Sequence, residues 1–272
     1  MTDDWLPRCR AAVEDVDAVL TELPGRAERE PVVAQGEGGD ETTAIDARAE
    51  EVVLRHFEGV SVVSEEIGEI DRGPTVVVVD PIDGSLNAKR GIPFFALSIA
   101  VAEGRTMDDV HFGYVFDFGS REEWWAIRGE GAFLNGEPLQ ELPKERIEIL
   151  AFEATETSFV AEQAGSVVGL AHRLRIMGSL AISLCHLAAG RIDGVCSLKP
   201  ARSVDIAAAQ LLVRERGLAI DLFETPPFGA APLDVEGRSR VVAAGNEALC
   251  RELAQALSAS AAPGGTTPTG AG

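Results

Sequence analysis

Val79-Asp80-Pro81-Ile82-Asp83-Gly84-Ser85-Leu86-Asn87 closes a β-branched run, Thr75 to Val79, that is apolar on both faces. A strand of that pattern belongs in the middle of a sheet. It ends in Asp80, and Pro81 forces a turn that brings Asp83 round to the same side. Two carboxylates on such a turn, with the Ile82 carbonyl beside them, form an oxygen cage that selects Mg²⁺ or Mn²⁺ over zinc. Gly84 lets backbone approach a ligand closely, and the amides of Gly84 and Ser85 are placed to face a phosphate. Taken alone, Asp-Pro-x-Asp-Gly is also an ordinary turn.

The flanking chain gives the motif its setting. Upstream, Ser64-Glu65-Glu66 ends another short β-branched run and offers a further carboxylate. Before it, residues 4–23 carry a helical stripe of Cys9, Val13, Val16, Leu20 and Leu23. The stretch Ala34 to Glu41 is too glycine-rich and charged to pack and is expected to be a mobile loop. Thr42 and Thr43 then cap a second helix running to Phe57, its inner face including His56. Downstream, strands are predicted over 94–102, 111–116 and 123–127, followed by a hairpin at Asn135-Gly136.

A polar stretch around residues 140–148 marks the expected domain boundary, giving units at 1–142 and 143–257 and a disordered tail at 258–272. In the second unit, helices (179–189, 204–215, 247–257) alternate with strands (194–198, 219–223, 239–244), the signature of an α/β layer. Asp205 opens one of those helices, where the dipole favours an ionised acid and a plain N-terminal cap explains it equally well.

Composition removes other classes. The chain has 272 residues, 46% hydrophobic and 25% charged, ordinary values for a globular protein. No apolar run reaches the roughly 20 residues that span a bilayer, and the N-terminus lacks a basic, apolar leader, so a soluble cytoplasmic protein is expected. A net charge of −20 opposes nucleic acid and anionic membrane as partners. Lys89, Lys144 and Lys199 are the only lysines, and the other basic residues are arginines. An acidic, lysine-poor chain fits a halophile, and GC-rich codons explain the arginines equally well. The four cysteines form no CxxC pair and the histidines no HExxH, which argues against zinc and against a disulfide framework.

Four motifs in order, Glu65-Glu66, Asp-Pro-Ile-Asp-Gly-Ser with Asn87, Gly129-x-Gly-Ala-x-Leu-Asn-Gly136 and Val204-Asp-Ile-Ala-Ala-Ala209, resemble the lithium-sensitive, Mg²⁺-dependent phosphomonoesterases typified by inositol monophosphatase. The resemblance spans residues 5–257. Gly91-Ile-Pro-Phe-Phe95 and Lys199-Pro-Ala-Arg-Ser-Val-Asp205 are most similar to the archaeal branch, whose members often hydrolyse both inositol phosphates and fructose 1,6-bisphosphate. It implies an αβαβα sandwich with the site between the two units, and a homodimer. It also implies two to three Mg²⁺ ions: one on Glu65, Asp80 and the Ile82 carbonyl, one shared by Asp80 with Asp83 and Asp205, and a weaker one near Glu65. Mn²⁺ is the natural substitute.

Ser85 with Asp46 would then orient or deprotonate the attacking water. Gly84, Ser85, Gly178 and Ser179 would contact the substrate, and Lys199 and Arg202 its second phosphate or sugar hydroxyls unless they are merely solvated surface cations. The Gly36 to Glu41 segment is similar to the family's catalytic loop. Ser85 stands for the more common Thr, Asn87-Ala88-Lys89-Arg90 replaces the common Asn-Phe continuation, and Leu198 falls where animal enzymes place an acid against the inositol ring. The expected function is hydrolysis of inositol 1-phosphate, fructose 1,6-bisphosphate or both, with a sugar or polyol phosphate as partner. A 3′-phosphoadenosine 5′-phosphate phosphatase and a non-catalytic metal- or phosphate-binding regulator are the alternatives.

Overall fold

The computed structural model describes residues 5–37, 41–140, 145–153, 156–222 and 227–259. The expected domain boundary at 142/143, residues 38–40 of the glycine-rich loop and residues 260–272 of the expected tail lie outside the described residues.

The chain opens with α1 (Trp5–Glu22), whose stripe Cys9, Ala12, Val13, Val16 and Val19 is buried. A short α2 (Arg26–Arg29) leads to a hairpin of β1 (Val32–Gln35) and β2 (Glu41–Thr43). Ala34 and Gln35 are therefore paired strand where a loop was expected, because Ala34 and Gln35 find partners in Thr42 and Glu41. Thr43 and Asp46 form a reciprocal capping box on α3 (Ala44–Leu54). His56, expected to face inward, is half-buried on the following 3₁₀ turn and pairs with Asp15.

Next come β3 (Ser61–Ser64), β4 (Gly68–Ile70), β5 (Thr75–Asp83), α4 (Ser85–Arg90), β6 (Ala96–Glu103), β7 (Val110–Asp117), β8 (Glu122–Ile127), β9 (Gly131–Leu134) and β10 (Glu137–Pro138). They form an eight-stranded sheet in the order β10-β9-β8-β7-β6-β5-β3-β4. As its apolar pattern demands, β5 lies between β3 and β6 and is buried on both faces. Asn135 and Gly136 both have positive φ and make the β9–β10 turn.

The remaining elements are β11 (Ile147–Glu153), α5 (Thr157–Gln163), β12 (Ala171–Arg175), α6 (Leu180–Ala188), β13 (Gly194–Ser197), α7 (Ser203–Glu215), β14 (Ala219–Leu222), β15 (Val241–Ala244) and α8 (Glu247–Ala259). They build a five-stranded sheet, β12-β11-β13-β15-β14, parallel through β12-β11-β13 and antiparallel beyond. The last helix runs past Leu257, so Ser258 belongs to it and not to a tail.

Three apolar clusters order the layers. Cys9, Val16, Ala49 and Val53 of α1 and α3 pack on Val77, Val79 and Ile99 of the large sheet. The opposite face, with Val76, Val78, Ala100 and Val115, packs on α6 and α7, which also meet Ala151, Val195 and Ala243 of the small sheet. Leu253 and Leu257 of α8 cover Leu150, Phe152 and Val242 on its far side. The architecture is the αβαβα sandwich. Small residues let α7 lie close: a Cβ on Gly113 of β7 would stand 2.4 Å from the Ala208 carbonyl oxygen.

Candidate active site

The β5–β6 pairing explains how two acids come to share a face. Asp80 pairs with Ser98 and Asp83 with Ala96, so three steps on β5 oppose two on β6. That extra residue is a β-bulge, placed where Pro81 has no N–H to give the ladder. In a regular strand, residues three apart such as Asp80 and Asp83 would point to opposite sides, since alternation has period two. The Ile82 N–H donates to Asp80 Oδ1 at 3.0 Å and the Ser85 hydroxyl donates to the Ile82 carbonyl at 3.0 Å.

A cavity of about 420 Å³ opens there, at the mouth between the two sheets, and all twelve site residues read from the sequence line it. Asp46 enters from the first turn of α3, Glu65 from the end of β3, and Asp205 from the first turn of α7. Gly178 and Ser179 precede α6, and Lys199 and Arg202 lie between β13 and α7.

The glycines are needed for reasons other than ligand approach. Gly84 has φ +90°, and a Cβ there would meet the carbonyl oxygens of Phe94 and Gly178 at 2.8 and 2.9 Å. What approaches Gly84 closely is backbone. Gly178, at φ +80°, faces the Asn87 side-chain amide in the same way, and Asn87 Nδ2 donates to the Phe94 and Met177 carbonyls at 2.8 Å.

Electrostatics sets the character of the cavity. Burial drives the Asp80 carboxyl well above the usual range, and the charges of Glu65, Asp83 and Asp205 push the same way. Burial likewise lifts Asp83 to about 7 against hydrogen bonds from Ser179 Oγ and the Ala181 N–H. Glu65 is lifted to about 7 by burial despite the neighbouring Arg202 charge. Like charges held this close in a low dielectric stay ionised only when a cation joins them. Arg202 is one such cation: its guanidinium bonds Glu65 and lies 3.3 Å from Asp205. Although burial disfavours its charge, Asp205, Glu65 and Asp80 outweigh that and raise its pKa. Arg202 is thus a buried partner of the acids, while Lys199 is exposed at the rim. Ser179 is also committed, accepting from the Ile182 N–H while donating to Asp83.

The donor set suits a hard divalent cation in kind: four carboxylates, one backbone carbonyl, and no sulfur or imidazole among the described lining residues. Asp46 adds a buried Oδ1 without a hydrogen-bond partner. Among the described residues no three His, Cys, Asp or Glu are drawn into a finished cage. Arg202 reaches between Glu65 and Asp205, and Asp83 is turned to Ser179, which accounts for the spread.

Several lining residues escaped the sequence reading. Glu153, at the end of β11, takes the Gly178 and Met177 N–H groups at 2.8 and 3.3 Å and the Ser183 hydroxyl at 2.6 Å. Burial raises its carboxyl to about 7 against those bonds. An apolar run ending in an acid, Leu150-Ala-Phe-Glu153, was the available signal. Glu66, the second acid of the Glu65-Glu66 pair, accepts from Thr42, and behind the cavity lining Glu50 holds the Glu65–Ile67 turn through Ser64 and the Glu66 and Ile67 amides. Lys89 and Arg238 also face the cavity.

The sequence profile described as the inositol monophosphatase family matches residues 7–262. The chain belongs to that family. A fructose-1,6-bisphosphatase/inositol-1-monophosphatase of Methanothermobacter thermautotrophicus is 33% identical over 261 residues, spanning 90% of this chain and 93% of that one. A bifunctional NADP phosphatase/NAD kinase of Methanocaldococcus jannaschii is 28% identical over 75% of this chain and 42% of its own length. A solved inositol monophosphatase–fructose 1,6-bisphosphatase superposes with a TM-score of 0.83 at 26% identity, covering 94% of this chain and all of that one. Family members thus share the layered fold seen here.

Proposed function

We propose that this chain is a Mg²⁺-dependent phosphomonoesterase that hydrolyses inositol 1-phosphate, fructose 1,6-bisphosphate or both. The observation that carries the reading is the convergence of Glu65, Asp80, Asp83, Asp205 and the Ile82 carbonyl, with Asp46 and Ser85, on one cavity. Those four acids and the carbonyl would hold Mg²⁺, which supplies charge neutralisation at phosphate and acidity to the attacking water. Asp46 Oδ1, buried and without a partner, accepts from that water. Ser85 shares the same end of the cavity and orients it from the Ile82 side. Glu153 and Asn87 clamp the Met177-Gly178 backbone, against which the substrate's hydroxyls rest. Lys199 and Arg238 at the rim complement a second anionic group.

Phosphate transfer asks mainly for alignment and charge neutralisation, so no Cys or His nucleophile is required. A nucleotide phosphatase is the second reading, favoured by the NADP phosphatase/NAD kinase relative. Among the described lining residues none is aromatic, so a base would lack a stacking surface there, and we rank sugar and polyol phosphates first. From the acidic composition and the family resemblance we also propose a cytoplasmic homodimer of a halophilic archaeon with units at 1–142 and 143–257. The large hydrophobics Leu86, Ile92, Phe94 and Ile176 are exposed, which supports an association surface, and no described helix is long and apolar enough to cross a membrane. The deciding experiment is phosphate release from inositol 1-phosphate, fructose 1,6-bisphosphate and 3′-phosphoadenosine 5′-phosphate, with Mg²⁺ or EDTA, in dilute buffer and molar KCl. Release that needs Mg²⁺ from either of the first two supports the reading. Silence from a folded protein on all three favours a regulatory role.

A further inference from the structure

We infer that Lys89 is a positioning residue for Asp46, a role that rests on the phosphatase reading above. The two oxygens of Asp46 are treated differently. Oδ2 accepts the Thr43 N–H at 3.2 Å and the Thr43 hydroxyl at 2.5 Å, and the Lys89 ammonium lies 3.4 Å from it. Oδ1 is buried and has no hydrogen-bond partner, and Asp46 lines the cavity. Two hydrogen bonds from Thr43 and the Lys89 charge, all on one oxygen, oppose rotation of the carboxylate and leave the other oxygen as the free acceptor.

Lys89 is not a solvated tail. Its side chain is 17% exposed, against 6% for Asp46. The helix that bears it has only six residues, too few to hold itself, and is tied down from outside. Arg29, itself buried, donates to the Ala88 carbonyl at 2.8 Å while its other nitrogens bind the Leu20 and Leu23 carbonyls. Arg90 pairs with Glu30 next door. Gly91, at φ +69°, ends the helix. This scaffold holds Lys89 in the lining of the cavity that Asp46, Glu65, Glu66 and Asp80 also line. In that acidic surround a fixed positive charge beside Asp46 keeps the carboxylate turned to its cap and away from Lys199 and Arg238 at the rim.

The test is steady-state kinetics with saturating Mg²⁺ on whichever sugar phosphate the wild type hydrolyses. Lys89→Met is expected to lower kcat 10- to 100-fold with KM changed less than twofold, and Lys89→Arg to recover most of the loss. In an Asp46→Asn background, adding Lys89→Met should change the residual turnover less than threefold. A raised KM with kcat intact would make Lys89 a substrate anchor and overturn the assignment. An unchanged kcat, or a further tenfold loss in the Asp46→Asn background, would overturn it as well. A wild type without Mg²⁺-dependent turnover would overturn the phosphatase reading itself and this role with it.

Discussion

Replacing Glu153 by Gln isolates one buried acid that is not among the proposed metal ligands. In the folded chain its carboxyl titrates at about 7, against an ordinary 4.5, because burial disfavours the charge more than Ser183, Gly178 and Met177 favour it. Between pH 4.5 and 7 the folded state therefore holds a proton that the unfolded state has lost, so stability falls as pH rises through that window and levels off above it. At about 1.4 kcal/mol per tenfold change in proton affinity, the interval sets a ceiling of about 3 kcal/mol. Gln does not titrate and keeps one acceptor oxygen, so it loses either the Gly178 bond or the Met177 and Ser183 bonds, a cost that is the same at every pH and leaves the pH dependence of the difference intact.

Glu153→Gln should thus gain on the wild type by up to about 3 kcal/mol between pH 4.5 and 8, or about 6 to 12 °C in Tm for a chain of this size. Melts of both proteins in EDTA across that range measure the difference, and acids common to both cancel. A difference that stays flat with pH would refute the argument that burial dominates at Glu153.

Asp83→Asn and Asp205→Asn should each lower turnover by at least about 100-fold at limiting Mg²⁺, with Tm in EDTA within a few degrees of wild type, because each removes a ligand and no core volume. Ser85→Ala should lower kcat by about 10- to 100-fold and leave the melt unchanged. Gly113→Ala would force a methyl to within 2.4 Å of the Ala208 carbonyl. We expect it to lower stability by about 1–3 kcal/mol and to shift Asp205 through α7, read as a lower Tm together with weaker Mg²⁺ dependence.

Much of the frame was legible because strong local signals agreed with the global packing. Val76 to Val79 could only be a central strand, and the apolar stripe of α1 left one face for the sheet. The acids of the site announced themselves as charges at the ends of apolar runs. Elements stabilised by partners and not by pattern were missed: β12 is an edge strand whose Ala171-His-Arg-Leu-Arg175 is mostly exposed. The β1–β2 hairpin exists through pairing across the glycine-rich turn. Arg202 was expected on the substrate's second phosphate or sugar hydroxyls because nothing in its neighbours along the chain reveals Glu65, which arrives from the end of β3. Lys89 and Glu153 were hidden for the same reason, since their partners Asp46 and Gly178 are remote in sequence.

The bulge between Asp80 and Asp83 also dictates which lengths of this segment can survive. Substitutions at Pro81 or Ile82 that keep the backbone path leave both acids aimed at the cavity. Deleting either residue would restore strict alternation and leave Asp83, now two positions from Asp80, on the same side, but it would remove the turn through which the Ile82 N–H reaches Asp80 and the Ser85 hydroxyl reaches the Ile82 carbonyl. Inserting one residue would set four steps on β5 against two on β6 and displace Asp83 and everything downstream, starting with Gly84, which has backbone pressed against it on two sides. A randomised library across residues 80–84 should therefore accept changes of letter at its middle positions and no change of length.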